Sequence, residues 1–533
     1  MHPEGSRPEA VELALFTHRF EAIAREMGEM LQRTALSTNV KERLDFSCAL
    51  LDADGRLVVN APHIPVHLGA LGLCVRKVAA VLDLGPGDVA VTNHPAFGGS
   101  HLPDVTVITP VFLEKDALSE EGVTQLLGYV ASRAHHAEIG GRRPGSMPPD
   151  ARTLAEEGVV LEPSLLLAAG EPRWQEMRRR LEAGPHPSRS VAENLADLAA
   201  AVAANRRGAE ALRRLARSHG AAKVAEQMAA LQALAAQSLS EALVAHGDGR
   251  YQARELLDDG TPIAVTLGLA GGRGTVDFTG TGSTHPGNLN APPAVATSAV
   301  LYVLRLLLDR PLPLNEGMLD PIELILPEGS FLNPKFPEDP TAAPAVVGGN
   351  VETSQRVVDT LIKALGLAAG SQGTMNNLLF GNAGFGYYET VCGGVGAGPG
   401  FDGASAVHSH MTNTRITDPE ILEHRYPVRL DRFAIRRGSG GAGRWRGGEG
   451  VVRELTFLEP VSLSLLTQHR QAGPYGIEGG YPGTPGRQRL VRAGAPLEDA
   501  EELAGIDGRE VEAGDRLILE TPGGGGWGEP NHE

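Results

Sequence analysis

Cysteine is nearly missing. The 533 residues hold three, Cys48, Cys74 and Cys392, too far apart for a metal or redox motif. That scarcity excludes a disulfide-built scaffold and fits a reducing compartment. Positive charge is also short: 48 Lys and Arg against 65 Asp and Glu leave a formal net charge of -17, which excludes the broad basic face that nucleic acid or an anionic membrane would need. No apolar run reaches the ~18 residues of a membrane span. The opening Met1-His2-Pro3-Glu4-Gly5 lacks the basic start and apolar stretch of a secretion signal, so the expected location is cytoplasmic. Three nucleotide and hydrolase signatures are absent as well: G-x-x-x-x-G-K-[ST], a G-x-G-x-x-G between strand and helix, and a G-x-S-x-G elbow. Gly394, Gly396 and Gly398 are followed by Pro399, which suits no helix start fitted to pyrophosphate. By itself the chain is equipped neither to cradle ATP nor to form an acyl-serine.

Glycine, in contrast, is abundant and clustered, as at Gly438-Ser439-Gly440-Gly441 and Gly523-Gly524-Gly525-Gly526, where tight turns and close backbone approaches are expected. A hydrophobic content of 42% over this length supports two or more cores. From Glu9 to Leu36, Val11, Leu15, Phe20, Ile23, Met27 and Leu31 share one helical face. Phe46 to Asp52 and Leu57 to Val59 flank Ala53-Asp54-Gly55 as a hairpin. Ser190 to His246 is Ala-rich and helical, with breaks expected near Gly208 and Gly220. Strands resume near Pro262, and helices are expected over Ser298 to Leu308 and Gln355 to Leu365. After Arg429 short strands alternate with Gly-rich turns, which predicts an antiparallel sandwich or barrel-like layer. The expected class is α+β, mixed and multi-domain. Its parts are an α/β region with a metal site (1–185), a helical segment (186–250), a central α+β region (251–428) and a Gly-rich β domain (429–533).

The richest segment is Thr92-Asn93-His94-Pro95-Ala96-Phe97-Gly98-Gly99-Ser100-His101-Leu102-Pro103-Asp104. His101 and Asp104 lie three apart across a proline, and Ala134-His135-His136-Ala137-Glu138 follows about thirty residues on. Between them run two strand-like stretches, Val105 to Phe112 and Leu126 to Ser132. Two strand ends can thus bring His101, Asp104 and His135 to one sheet edge, an imidazole–carboxylate set suited to a divalent metal such as Mn, Zn or Fe. The simpler account of His101 and Asp104 alone is a loop hydrogen bond. Glu138 and His136 are candidates for moving protons, and His63 and His67 for contacting substrate or supporting the metal ligands. Gly348 to Gln355 has the form of a helix start, with Thr353 or Ser354 as cap and room for an anion. Asn350, Glu352 and Asn377 sit in polar, Gly-flanked stretches and His410 in the polar run from His408 to Arg415, and all four are further candidates for binding substrate.

These motifs, with Lys41-Glu42-Arg43-Leu44-Asp45-Phe46-Ser47, Gly287-Asn288-Leu289-Asn290-Ala291-Pro292 and Thr521-Pro522-Gly523-Gly524, stand in one order along nearly the whole chain, which resembles the hydantoinase B/5-oxoprolinase family. The resemblance implies an ATP-dependent cyclic amide hydrolase that opens 5-oxo-L-proline as a B-type subunit. Its partner would be an ATP-binding A-type subunit, in an assembly such as (AB)2. A hydantoinase or ketone carboxylase subunit, or a non-catalytic stabilising subunit, are the alternatives. Asn93-His94-Pro95 looks like the oxoprolinase branch. The family's metal site, as in its ketone carboxylases, maps onto His101, Asp104 and His135, with His135 preferred over His136. Glu138 stands where many relatives have Asp.

Overall fold

The computed structural model describes residues 7–60, 64–113 and 125–530. A seven-stranded sheet organises the first part, in the order Leu57–Asn60, Phe46–Leu51, Gln125–His135, Asp104–Leu113, Val89–Thr92, Ser164–Ala168, Glu171–Pro172. Every pairing in it is antiparallel, so this region is not of the parallel α/β kind. Antiparallel pairs do not need the helical crossovers that parallel pairs require; a helix, Leu68–Ala79, nevertheless stands between Leu57–Asn60 and Val89–Thr92. Helices cover both faces, and that is why Phe46–Leu51 is buried throughout instead of alternating. Cys48 and Leu50 join the core formed with Arg7–Thr34 and Val191–His219, whereas Ala49 and Leu51 pack toward Leu71 and Val75 of Leu68–Ala79.

Val191–His219 is one unbroken helix. Gly208 does not break it: a Cβ there would stand 2.3 Å from Met27 Sδ, so the missing side chain lets this helix approach Arg7–Thr34. The chain turns instead at Gly220, whose φ is 87°. The next helix, Ala221–His246, has the length and apolar composition of a membrane span. It stitches two cores together, with Val224, Met228 and Leu231 in the first and Ala235, Leu239 and Leu243 in the second.

That second core lies under a four-stranded sheet of Gly249–Leu256, Pro262–Ala270, Arg273–Asp277 and Ile322–Ile325, covered by Pro293–Leu306 and Ser354–Ala364. The last part holds two antiparallel sheets sharing one core, in which Leu378, Phe380 and Leu463 of one meet Leu455, Leu490 and Leu517 of the other. Asn377–Asn382 and Phe385–Glu389, ahead of residue 429, pair into this sandwich through Val461–Leu466. The mixed α+β architecture expected from the patterning is present.

Glu157 joins two of these regions. Its carboxylate accepts from the amides of Val346 and Val347 (2.8–3.1 Å), and burial pushes its carboxyl from 4.5 up to about 8. The folded value is raised, so the folded chain holds this proton more tightly than the unfolded chain. Stability from the group is therefore complete below about 4.5 and is lost as pH rises through about 8, at up to about 1.4 kcal/mol per unit. Glu157→Gln keeps an acceptor for both amides and should abolish that decline. Urea midpoints of variant and wild type are expected to converge near about pH 5 and to favour the variant at about pH 8.5; parallel slopes would refute this.

Candidate metal centre

Strand register builds the centre. Asp104 opens Asp104–Leu113, His135 closes Gln125–His135, and the two are directly paired. Opposed residues of an antiparallel pair point to the same face, so their side chains converge. His101 arrives from the preceding loop, which Asn93 pins: its amide donates to the carbonyls of Leu102 (2.8 Å) and Val159 (2.9 Å), and its oxygen accepts from Leu161 N (2.7 Å). Arg133 also donates to Gly98 O at 2.8 Å.

His101 Nε2, Asp104 Oδ1 and His135 Nδ1 form a triangle with edges of 3.1, 3.3 and 3.2 Å. Donors bonded to one metal ion at about 2.1 Å, at octahedral to tetrahedral angles, stand about 3.0–3.4 Å apart. All three side chains are buried, and among the described residues they are the one group of at least three His, Cys, Asp or Glu with metal-holding geometry. Among the described residues, the buried atoms Asp104 Oδ1 and His135 Nε2 have no hydrogen-bond partner. Burial pushes the Asp104 carboxyl up, but His101 and His67 beside it outweigh this and hold it well below the usual carboxylate range. Burial lowers the His135 imidazole. Both are therefore in the deprotonated form that binds metal, and the residues fit a divalent cation.

The surroundings hold this triangle in place. Asp104 Oδ2 accepts from Ser100 Oγ (2.5 Å) and faces His67 Nε2 (3.1 Å), while His67 Nδ1 meets Ser47 Oγ (3.1 Å). Asn350 Nδ2 lies 3.2–3.3 Å from the His101 ring nitrogens. Tyr388 stacks on His135 at 4.7 Å between ring centroids and donates its hydroxyl to Asn377 Oδ1 (2.9 Å). Asn377 donates in turn to Glu352 Oε1 at 2.6 Å. Glu352 Oε2 is buried with no partner among the described residues, and burial pushes this carboxyl up to about 8.

The sequence candidates therefore divide. His67 and Asn350 contact the triangle, and Asn377 and then Glu352 connect to it through Tyr388. His136 turns to the Val191–His219 helix, where its Nδ1 lies 3.0 Å from Asn194 Nδ2. Glu138 is tied into its own loop by Gly140 N (2.6 Å), Gly145 N (3.0 Å) and Arg189 Nη1 (3.0 Å). His410 pairs with Asp359 at 3.0 Å. His94 caps its own loop through Ala96 N at 3.0 Å. His63 lies outside the described residues. No role follows from the sequence for Ser47, Ser100, Arg43 or Tyr388; Ser100 stands next to His101 and Arg43 and Ser47 lie in a family-like motif, whereas Tyr388 carries no local signal.

The helix start expected at Thr353 or Ser354 is corrected. A wide π-type turn, Gly349–Thr353, runs straight into Ser354–Ala364, and the two hydroxyls donate to Leu289 O and Asn350 O instead of capping. Winding begins early because Gly349 fits against Asn290, whose carbonyl oxygen would stand 1.8 Å from an added Cβ. The amides just ahead, Val346 and Val347, are already taken by the Glu157 carboxyl. Such turns present side chains off the regular helical spacing, and here Asn350 reaches His101 while Glu352 reaches Asn377. Gly349→Ala should push the turn away from Asn290, cost roughly 1–3 kcal/mol and weaken metal binding through Asn350. Calorimetry with a metal titration checks both; an unchanged metal affinity would contradict it.

The family pattern of hydantoinase B/oxoprolinase matches residues 9–530. The chain belongs to the hydantoinase B/oxoprolinase family. It is 44% identical to 5-oxoprolinase 1 of Arabidopsis thaliana over 98% of its own length and 42% of that protein. It is equally 44% identical to the 5-oxoprolinase of Saccharomyces cerevisiae, over 97% of this chain and 41% of that protein. The chain thus spans about two fifths of these relatives. The crystal structure of the ATP-dependent caprolactamase from Pseudomonas jessenii superposes with a TM-score of 0.85 at 25% identity, covering 99% of this chain and 92% of that one.

Proposed function

We propose that this family member is the ring-opening, B-type part of an ATP-dependent 5-oxoprolinase, converting 5-oxo-L-proline to L-glutamate with an ATP-binding A-type part. The observation that carries the reading is the buried His101–Asp104–His135 triangle, in a chain without a phosphate loop and 44% identical to a 5-oxoprolinase. A lactam resists water because its nitrogen donates into the carbonyl. Phosphorylation of the lactam oxygen by the A-type part, with ADP released, removes that resistance; the B-type part adds water to the activated carbon, the C–N bond breaks with a proton going to the nitrogen, and phosphate leaves as the carboxylate forms.

His101, Asp104 and His135 would hold a divalent metal ion, which when bound supplies Lewis acidity toward a carbonyl or phosphoryl oxygen. Ser100 and His67 occupy the outer oxygen of Asp104, so its inner oxygen keeps its direction. Asn350 holds the His101 ring, and Tyr388 covers His135 and helps exclude water. Glu352, protonated at neutral pH and free at Oε2, can give a proton to the departing ring nitrogen. Glu138, with its oxygens already satisfied, is less suited to that role.

The test is ATP hydrolysis by this chain together with its A-type partner, with 5-oxoproline, hydantoin, caprolactam and acetone offered separately. Glutamate formed from 5-oxoproline, and only with both parts present, supports the reading. Turnover of another compound instead would overturn the substrate assignment. Undiminished 5-oxoproline-dependent ATPase in a His101→Ala/His135→Ala chain would remove the metal from the scheme.

A further inference from the structure

One sheet of the C-terminal sandwich ends in an open edge. Val428–Arg436 is the outermost strand, paired on one side with Gly450–Phe457, and among the described residues no strand lies on its other side. It is nine residues long, and Phe433 and Ile435 on it are 43% and 46% exposed. Long apolar edges recruit other strands through their unpaired N–H and C=O groups, so they are normally blunted or covered.

Two grooves flank this strand. One, of about 520 Å³, is lined by Phe433 and Ile435 with Cys392, Val407, Thr414 and Val451. The other, of about 700 Å³, carries Arg432, Arg436, Arg437, Arg489 and Arg516 with Glu454 and Glu520. Glu454 is shared by Arg432 (3.4 Å) and Arg516 (3.7 Å), and Glu520 by Arg436 (3.5 Å) and Arg489 (3.2 Å). Each carboxylate serves two guanidiniums and Arg437 has none, so five positive charges face two negative ones on a chain whose net charge is -17. Alternation along the strand puts Phe433 and Ile435 toward one side and Arg432 and Arg436 toward the other.

We infer that this edge and its two grooves are the docking surface for the ATP-using part, which lays against it an extended segment alternating apolar side chains with carboxylates. The inference rests on the proposed two-part function. The same unit occurs joined to further polypeptide in the 5-oxoprolinases, of which it covers about two fifths, and as most of a chain in the caprolactamase, of which it covers 92%. Either arrangement needs a surface that holds the parts in register. Strand addition supplies it through main-chain hydrogen bonds, with the grooves selecting alternate side chains.

The surface also lies close to the centre. Thr414, in the apolar groove, accepts from Arg43 Nη2 at 3.3 Å, and the Arg43 guanidinium lies 4.7 Å from the Tyr388 ring centroid, which stacks on His135. Two side chains separate the groove wall from a metal-triangle residue.

The test compares wild type with Phe433→Asp/Ile435→Asp, each titrated with the A-type chain of the same source by surface plasmon resonance at low and high salt. The expected result is a dissociation constant at least about 30-fold weaker for the variant, and wild-type binding that weakens with salt. Leu15→Asp, on an exposed position of the first helix, should bind as wild type does, and metal content should be equal in all three. Unchanged affinity of the double variant overturns the inference, as does a wild-type chain that does not bind. A wild-type homodimer broken by the double variant assigns the surface to a second copy and overturns it too. An intact complex that leaves 5-oxoproline untouched would defeat the functional reading while the docking surface stood.

Discussion

Asp104→Asn is expected to strip the centre of its metal while leaving the fold intact. The substitution keeps the side chain's volume and an acceptor for Ser100, so packing around a site that is 1% exposed changes little. What disappears is the one negative charge among three ligands. Three effects then combine. The charge that draws a divalent cation is gone, an amide group replaces a carboxylate between His101 and His135, and His67 loses its anionic partner at 3.1 Å. Metal per chain, measured by mass spectrometry after dialysis, should fall from near one to below about a tenth. In the proposed two-part enzyme, the 5-oxoproline-dependent ATPase should fall on the order of 10³-fold, the scale of several kcal/mol of charge stabilisation. Circular dichroism should not change. A variant that kept both its metal and its rate would show that the triangle is only a buried hydrogen-bonded cluster.

The largest effect on stability is expected from Arg453→Met. Arg453 and Glu389 are 2% and 0% exposed, and the guanidinium meets the carboxylate twice, at 2.6 and 3.2 Å. They tie the two sheets of the sandwich, Gly450–Phe457 in one and Phe385–Glu389 in the other. Removing the cation strands a carboxylate in the interior with, among the described residues, only the Tyr387 hydroxyl, at 3.0 Å, left to hold it. Breaking one side of a buried pair costs about 3–5 kcal/mol, whereas replacing both sides by apolar groups is often near neutral. Urea denaturation should therefore show a large fall in midpoint for Arg453→Met and substantial recovery in Arg453→Met/Glu389→Leu. Additive losses in the double variant would mean that the single substitution hurts by lost packing, not by an unpaired charge.

Much of the centre was legible because it is local. His101 and Asp104 share one loop and strand start, and His135 ends the strand paired with it, so periodicity and spacing bring them together before any long-range contact is known. The hairpin at Ala53-Asp54-Gly55 and the sandwich strands were legible for the same reason: turn chemistry and alternation are written within a few residues. The Gly208 break failed because a glycine inside a helical pattern looks the same whether it ends the helix or lets another helix approach. Only the position of Met27 distinguishes the two.

The amino-acid sequence by itself determined the family, the α+β character, the lack of a phosphate loop and the three residues of the triangle. The tertiary structure decided what surrounds them. Tyr388 and Arg43 are 345 positions apart, yet one lies over the other, and the first covers His135. Asn350 reaches His101 only because a π-type turn fits against Asn290. Glu138, a candidate either for moving protons or for capping its turn, is satisfied by amides of its own loop and by Arg189 brought to it by folding. The physical reason is range. Propensity and periodicity act over one or two turns of chain, whereas packing and strand pairing decide which distant side chain meets a buried polar atom, and that partner sets its charge and its role.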